Sequence, residues 1–315
     1  MRVAKTIPVS IVIPTLNRPQ ALLRTLETIA AGDAVPDQLL IVDQSNDETF
    51  GKNADMLTQT DAAASSFLHL KLSPPSTTAA RNLGMQKAIN NILLFCDDDV
   101  DFHSDTLSRL YENMKITDTA LVAAVDEGLK KHQSVLGYLT GMRSFKNRKI
   151  GHVTRSVLGR YPDDVSGKVE TNWAMGFFFA VKKSLPEKYG IVWDEKLTGY
   201  AYAEDLDFTL GYCNAAKAEG KSCYIDGDIK ILHRASGEYR IQTESHIRRY
   251  VINRMYIAAK HKIPGAKSAM AWCDFWMRIR YLIKRRPEYR FLKKAQRYAK
   301  AHQAEIESGT LNYEI

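Results

Sequence analysis

Three consecutive carboxylates, Asp97-Asp98-Asp99, follow directly on the apolar run Ile92-Leu93-Leu94-Phe95-Cys96. Carboxylates held this close push each other's pKa upward unless a cation lies among them. A divalent ion removes the conflict: Mg²⁺ and Mn²⁺ prefer oxygen donors, taking one or two carboxylates and filling their other positions with water and substrate phosphate. Metal-assisted handling of a diphosphate is the chemistry that fits. The same acids can instead form a solvated turn in which Asp99 or Asp101 caps a helix starting near Ser104. A second pair, Glu204-Asp205, opens a helical stretch much later in the chain, where the helix dipole alone would favour acids.

The elements that must position these groups are legible from apolar spacing. Ile7 to Pro14 is a β-branched run closed by Pro14 and reads as a buried strand, followed by a helix from Pro19 to Ala31 with Leu22, Leu23, Leu26 and Ile29 on one face. Gln38 to Val42 reads as a second buried strand that delivers Asp43 at its end. Phe67 to Leu72 reads as a third strand, Thr77 to Ile89 as a helix, and Ile92 to Cys96 as a fourth strand. Alternation of this kind predicts a mainly parallel α/β sheet covered by helices on both faces. In such sheets ligands sit beyond the carboxyl ends of the strands, where Thr15, Asp43 and the three acids stand. Neither Gly-x-Gly-x-x-Gly nor Gly-x-x-x-x-Gly-Lys-Ser/Thr occurs near these strands, which disfavours dehydrogenase and P-loop chemistry. Residues 126–170 are polar with weak periodicity and read as loops covering the site.

The chain of 315 residues carries a net charge of +8, unevenly placed. Residues 246–300 hold 16 Lys/Arg against two acids, a local +14 that leaves the remainder near −6. The four cysteines form no Cys-x-x-Cys pair, so neither a zinc site nor a disulfide framework is expected. No apolar run suits a membrane-spanning helix or a signal peptide, and a cytoplasmic protein is expected.

Four separated pieces resemble the family-2 glycosyltransferases, an inverting group with the GT-A fold. They are Val9 to Arg18; Ile41-Val42-Asp43-Gln44-Ser45; Asp97-Asp98-Asp99; and Trp193-Asp194-Glu195 followed by Glu204-Asp205-Leu206-Asp207. Ala80-Arg81-Asn82-Leu83-Gly84 is similar to the segment that precedes the family's metal motif. The resemblance covers roughly residues 7–235 and implies a nucleotide-diphosphate-sugar donor. Thr15, Asp43 and Gln44 would lie beside the nucleoside, Arg81 beside base or phosphate, and Asp97 and Asp98 on the donor side near the ribose. Asp99 would hold Mn²⁺ or Mg²⁺, with His233 at a place where relatives sometimes set a histidine near the metal or diphosphate. Asp205 matches the general base that deprotonates the acceptor hydroxyl, with Glu204 beside it. Many relatives read Asp-Asp where this chain has Asp43-Gln44, which leaves the nucleobase open among uridine, thymidine and guanosine.

Trp173, Trp193, Tyr200 and Tyr202 are aromatic candidates for stacking on an acceptor sugar, or else core residues. The expected organisation is a GT-A catalytic domain over 1–240 and a basic amphipathic helical extension over 241–315. That extension either lies on an anionic membrane surface, bringing in a glycan or lipid-linked acceptor for surface polysaccharide or glycoconjugate synthesis, or packs on the catalytic domain. Two rivals are carried forward. A nucleotidyltransferase lacks its glycine-rich, lysine-containing loop here. A non-catalytic membrane or nucleic-acid adaptor would use the basic tail alone, and nucleic acid is the less favoured partner.

Overall fold

The structure is a computed structural model that describes residues 4–60, 63–129, 135–198, 202–234 and 243–314. The first half alternates strand and helix: β1 Lys5–Thr15, α1 Pro19–Ala30, β2 Ala34–Asp43, α2 Asp47–Leu57, β3 Ser66–Lys71, α3 Thr77–Lys87 and β4 Ile92–Cys96. Then follow β5 Val100–Phe102, α4 Thr106–Met114, β6 Thr119–Asp126, α5 Val135–Leu139, β7 His152–Val153, β8 Gly159–Arg160 and β9 Lys168–Glu170. β10 Phe178–Lys182, α6 Ser184–Tyr189, α7 Glu204–Ala218 and β11 Ser222–His233 complete the sheet region. Four helices close the chain: α8 Thr243–Lys260, α9 Ala266–Ile283, α10 Glu288–Ala301 and α11 Gln303–Ser308.

Among the described residues nine strands form one mixed sheet in the order β3-β2-β1-β4-β10-β6-β11-β5, with β9 on β11. β3, β2, β1 and β4 run parallel. β10 runs antiparallel between β4 and β6. Side chains along each strand alternate between two cores, as the pleat requires. Ile11 and Ile13 of β1 and Leu94 of β4 join Leu22, Leu26, Leu107 and Leu110 on the α1 and α4 face. Val12, Leu93 and Phe95 join α3 and α7 on the other. Burial on both faces explains why β2 reads as an unbroken apolar run. Gly84 lets α3 lie against the sheet, because a Cβ there would collide with Val12.

The strands and helices expected in the parallel half are present to within a few residues at each boundary, and α2 adds a helix after β2 that the apolar spacing does not signal. Residues 126–170 differ: they hold α5, a 3-10 turn at Phe145–Arg148, the β7–β8 hairpin and β9. These elements are too short to show a period, and side chains supplement their backbone bonds, as where Asn147 Nδ2 donates to the carbonyls of His152 and Arg160 at 2.9 and 3.0 Å.

The C-terminal helices continue the core beside the sheet. Ile247, Val251 and Ile257 of α8 and Leu292, Ala295 and Ala299 of α10 belong to the same buried cluster as Phe95, Trp193 and Phe208. Lys260 at the end of α8 bonds Asp194 and Asp207, each at 2.7 Å, and His261 Nε2 lies 2.7 Å from Asp207 Oδ1. Burial lowers the Lys260 ammonium's pKa, but Asp207 and Asp194 outweigh it and hold the group above its ordinary value. No helix among the described residues is long and apolar enough to cross a membrane.

Leu292 is fully buried, so Leu292→Ala is expected to cost about 2–5 kcal/mol. That loss should appear in one cooperative denaturant transition monitored by far-UV circular dichroism; an early transition confined to the C-terminal helices would show that they melt apart from the sheet.

Candidate functional site

The strand ends meet at one edge of the sheet. Thr15 at the end of β1 is in register with Asp43 at the end of β2, and β4 leads straight into the three acids. Asp98 turns inward and is fully buried. It accepts a bond from Thr15 Oγ1 at 2.6 Å and is gripped by the Arg18 guanidinium, whose Nη1 also reaches Asp99 Oδ2 at 3.1 Å. Burial pushes the Asp98 carboxyl up to about 7 against the opposing pull of Arg18 and Thr15, with Asp99 and Asp97 adding to the rise. The middle acid therefore anchors the loop, while Asp97 is half-exposed and Asp99, itself buried, reaches His233.

β11 supplies the third side. It pairs antiparallel with β5, placing His233 opposite Val100, one residue from the acids. His233 Nε2 lies 3.2 Å from Asp99 Oδ1 and 4.0 Å from Asp97 Oδ2, and its ring stacks on Phe177 at 5.0 Å. Burial would lower the imidazole's pKa, but the Asp99 hydrogen bond and the charges of Asp97, Asp99 and Asp126 raise it above its ordinary value. Ligand atoms of Asp97, Asp99 and His233 all lie within 4.8 Å of one another. Two carboxylate oxygens and one imidazole nitrogen at that separation suit a divalent cation such as Mn²⁺.

Arg81 of α3 joins this cluster to a second acid pair. Its Nη2 donates to Asp97 Oδ1 at 3.0 Å and to the Gly176 carbonyl at 3.1 Å, and its Nη1 to Glu204 Oε1 at 3.2 Å. The guanidinium lies over the Trp193 ring, 4.5 Å from its centroid, a cation–π contact that helps a buried charge. Gly176 N donates in turn to Asp205 Oδ2 at 2.9 Å, while Leu206 N donates to Oδ1 at 2.7 Å. A side chain at 176 would crowd both Arg81 and Asp205, since an added Cβ would sit 3.1 and 3.2 Å from them. Burial and mutual repulsion raise Glu204 to about 8, with Arg81 opposing. Burial likewise raises Asp205, against its two backbone hydrogen bonds. A carboxylate whose pKa is drawn toward neutrality is suited to take and release a proton.

Residues 10–188 match the family described as Glycosyl transferase family 2, over more than half of the chain. The chain belongs to glycosyl transferase family 2. No curated protein matches significantly by sequence. Similar solved structures include the mannosyltransferase PcManGT from Pyrobaculum calidifontis in complex with GDP-Man and Mn²⁺. It is 14% identical with a TM-score of 0.56, over 94% of this chain and 75% of that one. Another is S. aureus TarS 1–349 in complex with UDP-GlcNAc, 13% identical with a TM-score of 0.57, over 92% and 79%. These likenesses show a GT-A glycosyltransferase fold.

On this family-2 scaffold the expected site residues separate into two groups. Asp97, Asp99, His233, Arg81, Glu204 and Asp205 converge as described. Thr15, Asp43 and Asp98 face into the protein. Asp43 is fully buried and accepts from Ser45 N, Asn53 Nδ2 and His69 Nε2 at 2.9, 2.7 and 3.0 Å. Burial pushes its carboxyl up, but these bonds, led by that from His69, leave it below its ordinary value. Gln44 Oε1 accepts from Ser76 N at 2.6 Å, tying β2 to the start of α3. Trp173 and Trp193 are core residues rather than exposed platforms. Trp173 bonds the Arg160 carbonyl at 3.3 Å and Trp193 stacks on Phe208 at 4.4 Å. Tyr202 is half-buried with its ring edge toward Tyr250, and Tyr200 lies outside the described residues. Arg18 and Gly176 carried no role in the sequence. Only the Asn17-Arg18 step after Pro14, and the glycine inside Trp173-Ala174-Met175-Gly176, hinted at them.

Arg81 is buried, so Arg81→Ala leaves Asp97 and Glu204 without their cation and is expected to cost about 3–5 kcal/mol in metal-free denaturant unfolding. Glu204 has a folded-state pKa above its ordinary 4.5, so the fold favours its neutral form. Its stabilising contribution is full below that value and is lost as pH rises through about 8. With chelator present, wild type should lose more stability than Glu204→Gln between about pH 5 and about pH 9; parallel curves would contradict the shift.

Proposed function

We propose that this family-2 protein transfers a sugar from a nucleoside diphosphate sugar to an acceptor hydroxyl with inversion at the anomeric carbon. The observation that carries this is the pair of acid groups set on either side of Arg81. One, Asp97-Asp99-His233, suits a diphosphate and its cation; the other, Glu204-Asp205, suits a proton acceptor. Family membership favours this over the nucleotidyltransferase and adaptor alternatives, and the neighbours named with GDP-Man and UDP-GlcNAc support a nucleotide-sugar donor.

On the donor side, Asp43 and Gln44 shape the nucleoside end by fixing the loop after β2 against α3. Thr15 and Asp98 act with Arg18 to hold the acidic turn, and Arg81 approaches the phosphates or base. Mn²⁺ or Mg²⁺, held by Asp97, Asp99 and His233, would supply charge stabilisation for the departing diphosphate. Asp205 takes the acceptor proton as the acceptor oxygen bonds to the anomeric carbon and the bond from that carbon to the diphosphate oxygen breaks. Its two backbone donors leave lone pairs on both oxygens for that role. Glu204 holds Arg81 in place and borders the acceptor side. The acceptor class we favour is a glycan or lipid-linked glycan of surface polysaccharide or glycoconjugate synthesis, used on the cytoplasmic side of a membrane.

Asp205→Asn keeps the size of the side chain and one of its two backbone hydrogen bonds, since the amide nitrogen cannot accept the other, and it removes the base. Transfer should fall by about 10²- to 10⁴-fold, while donor binding measured by calorimetry stays within about a factor of three. Unchanged turnover would take Asp205 out of the base role.

A further inference from the structure

Helix α9 has two apolar faces, and the protein covers one of them. Ala266, Met270 and Cys273 are buried against the rest of the chain. At about 100° per residue, Trp272, Phe275, Trp276, Ile279, Leu282 and Ile283 fall within an arc of about 120° on the other side. Trp272 is 50% exposed, Leu282 59% and Ile283 75%, although a helix on a globular surface ordinarily turns its polar side outward.

The arc is extended by a second element. Trp272 Nε1 donates to the Leu139 carbonyl at 2.8 Å, docking α5 against α9. Val135, Leu136 and Leu139 of α5 are all exposed, as is Phe145 in the following turn. An exposed apolar surface built from two separate segments marks an interaction site.

Charge says what the surface fits. On the α9 wheel, Arg278 flanks the apolar arc on one side and Arg280 on the other, and Lys284, Arg285 and Arg286 follow directly at the end of the helix. At the end of the helix a cavity of about 270 Å³ is lined by Arg280, Lys284, Arg286 and Glu288, with Met142 and Met277 on its apolar wall. Three cations and one acid around a partly apolar cavity, beside an exposed apolar stripe, suit a lipid phosphate whose acyl chains lie along that stripe. Aromatic and leucine side chains sink into the headgroup boundary while flanking Lys and Arg meet the negative surface. A peptide groove would not require basic flanks on both sides of the stripe.

We infer that α5 and α9 together form a face that docks on an anionic phospholipid bilayer, with the cavity bounded by Arg280, Lys284 and Arg286 receiving a lipid phosphate. This docking is independent of the transfer reaction and is tested without any sugar donor.

The test is co-sedimentation of the full chain with phosphatidylcholine vesicles, with and without phosphatidylglycerol. Wild type should bind the phosphatidylglycerol vesicles and stay in solution with phosphatidylcholine alone. Leu282→Ser/Ile283→Ser and Lys284→Glu/Arg286→Glu should each weaken binding about tenfold with unchanged melting, because these side chains are exposed. Failure of wild type to bind, equal binding to both vesicle types, or charge-reversed protein that binds like wild type would overturn the inference. So would a stable dimer in sedimentation velocity that ignores vesicles, which would assign the face to a second copy of the chain.

Discussion

The structure depends on how closely spaced carboxylates are accommodated in a largely buried place. Five of them, Asp97, Asp98, Asp99, Glu204 and Asp205, gather at the strand ends with two guanidiniums. Arg18 neutralises the inner side and Arg81 spans the outer two groups. Burial, with repulsion between the acids adding to it, draws Asp98 and Glu204 toward protonation, and the surrounding acids draw His233 toward its charged form against burial. The protein alone leaves that repulsion unresolved, and a cation bridging a diphosphate is its natural complement. Several local choices follow. Trp193, packed against Phe95 and Phe208, offers Arg81 a flat surface, and glycine at 176 leaves room for Arg81 and Asp205 to bond its backbone. Ala203 adopts φ +67° immediately before α7, a strained conformation for alanine that is tolerated where it aims functional groups.

Behind Asp205, the same helix is held by the C-terminal region. Asp207 is buried two residues after Asp205, and its charge is met by Lys260 and His261. Lys260 also takes Asp194, so one ammonium links α7, the Trp193-Asp194-Glu195 segment and α8. Arg254, fully buried, adds a second tie by bonding Asp274 at 2.8 Å and the Ser156 carbonyl at 2.8 Å. The basic helices thus serve as a wall of the catalytic unit, and their outward charge and apolar stripe are a separate feature.

The parallel half of the sheet was legible because β1, β2 and β4 are buried on both faces and therefore read as apolar runs ending at chemistry-bearing residues. The antiparallel insertion of β10 was hidden, because Phe178 to Lys182 carries the same apolar signature in either direction. Individual roles were less legible than positions. Three adjacent acids look equivalent in sequence, yet the strand-end turn buries Asp98 against Thr15 and Arg18, buries Asp99 beside His233 and leaves Asp97 half-exposed. Asp43 marks the right strand end, but the bonds that saturate it come from Asn53 and His69, which no local pattern connects to it. Trp193 reads as an exposed platform or a core residue equally well until Arg81 is seen above it. The division at residue 240 followed a change of composition, while the packing of Ile247, Val251 and Leu292 into the main core depends on long-range contacts that composition does not record.

The most direct measurement of the central claim is a thermal-shift series with nucleoside diphosphates and nucleotide sugars, each in Mn²⁺, Mg²⁺ or chelator. A ligand that binds only the folded state raises the melting temperature according to its affinity. The account predicts stabilisation by at least one nucleotide with a divalent ion and loss of that stabilisation in chelator, because the diphosphate must share the acidic cluster with a cation. Equal stabilisation with and without metal, or none with any nucleotide, would contradict it.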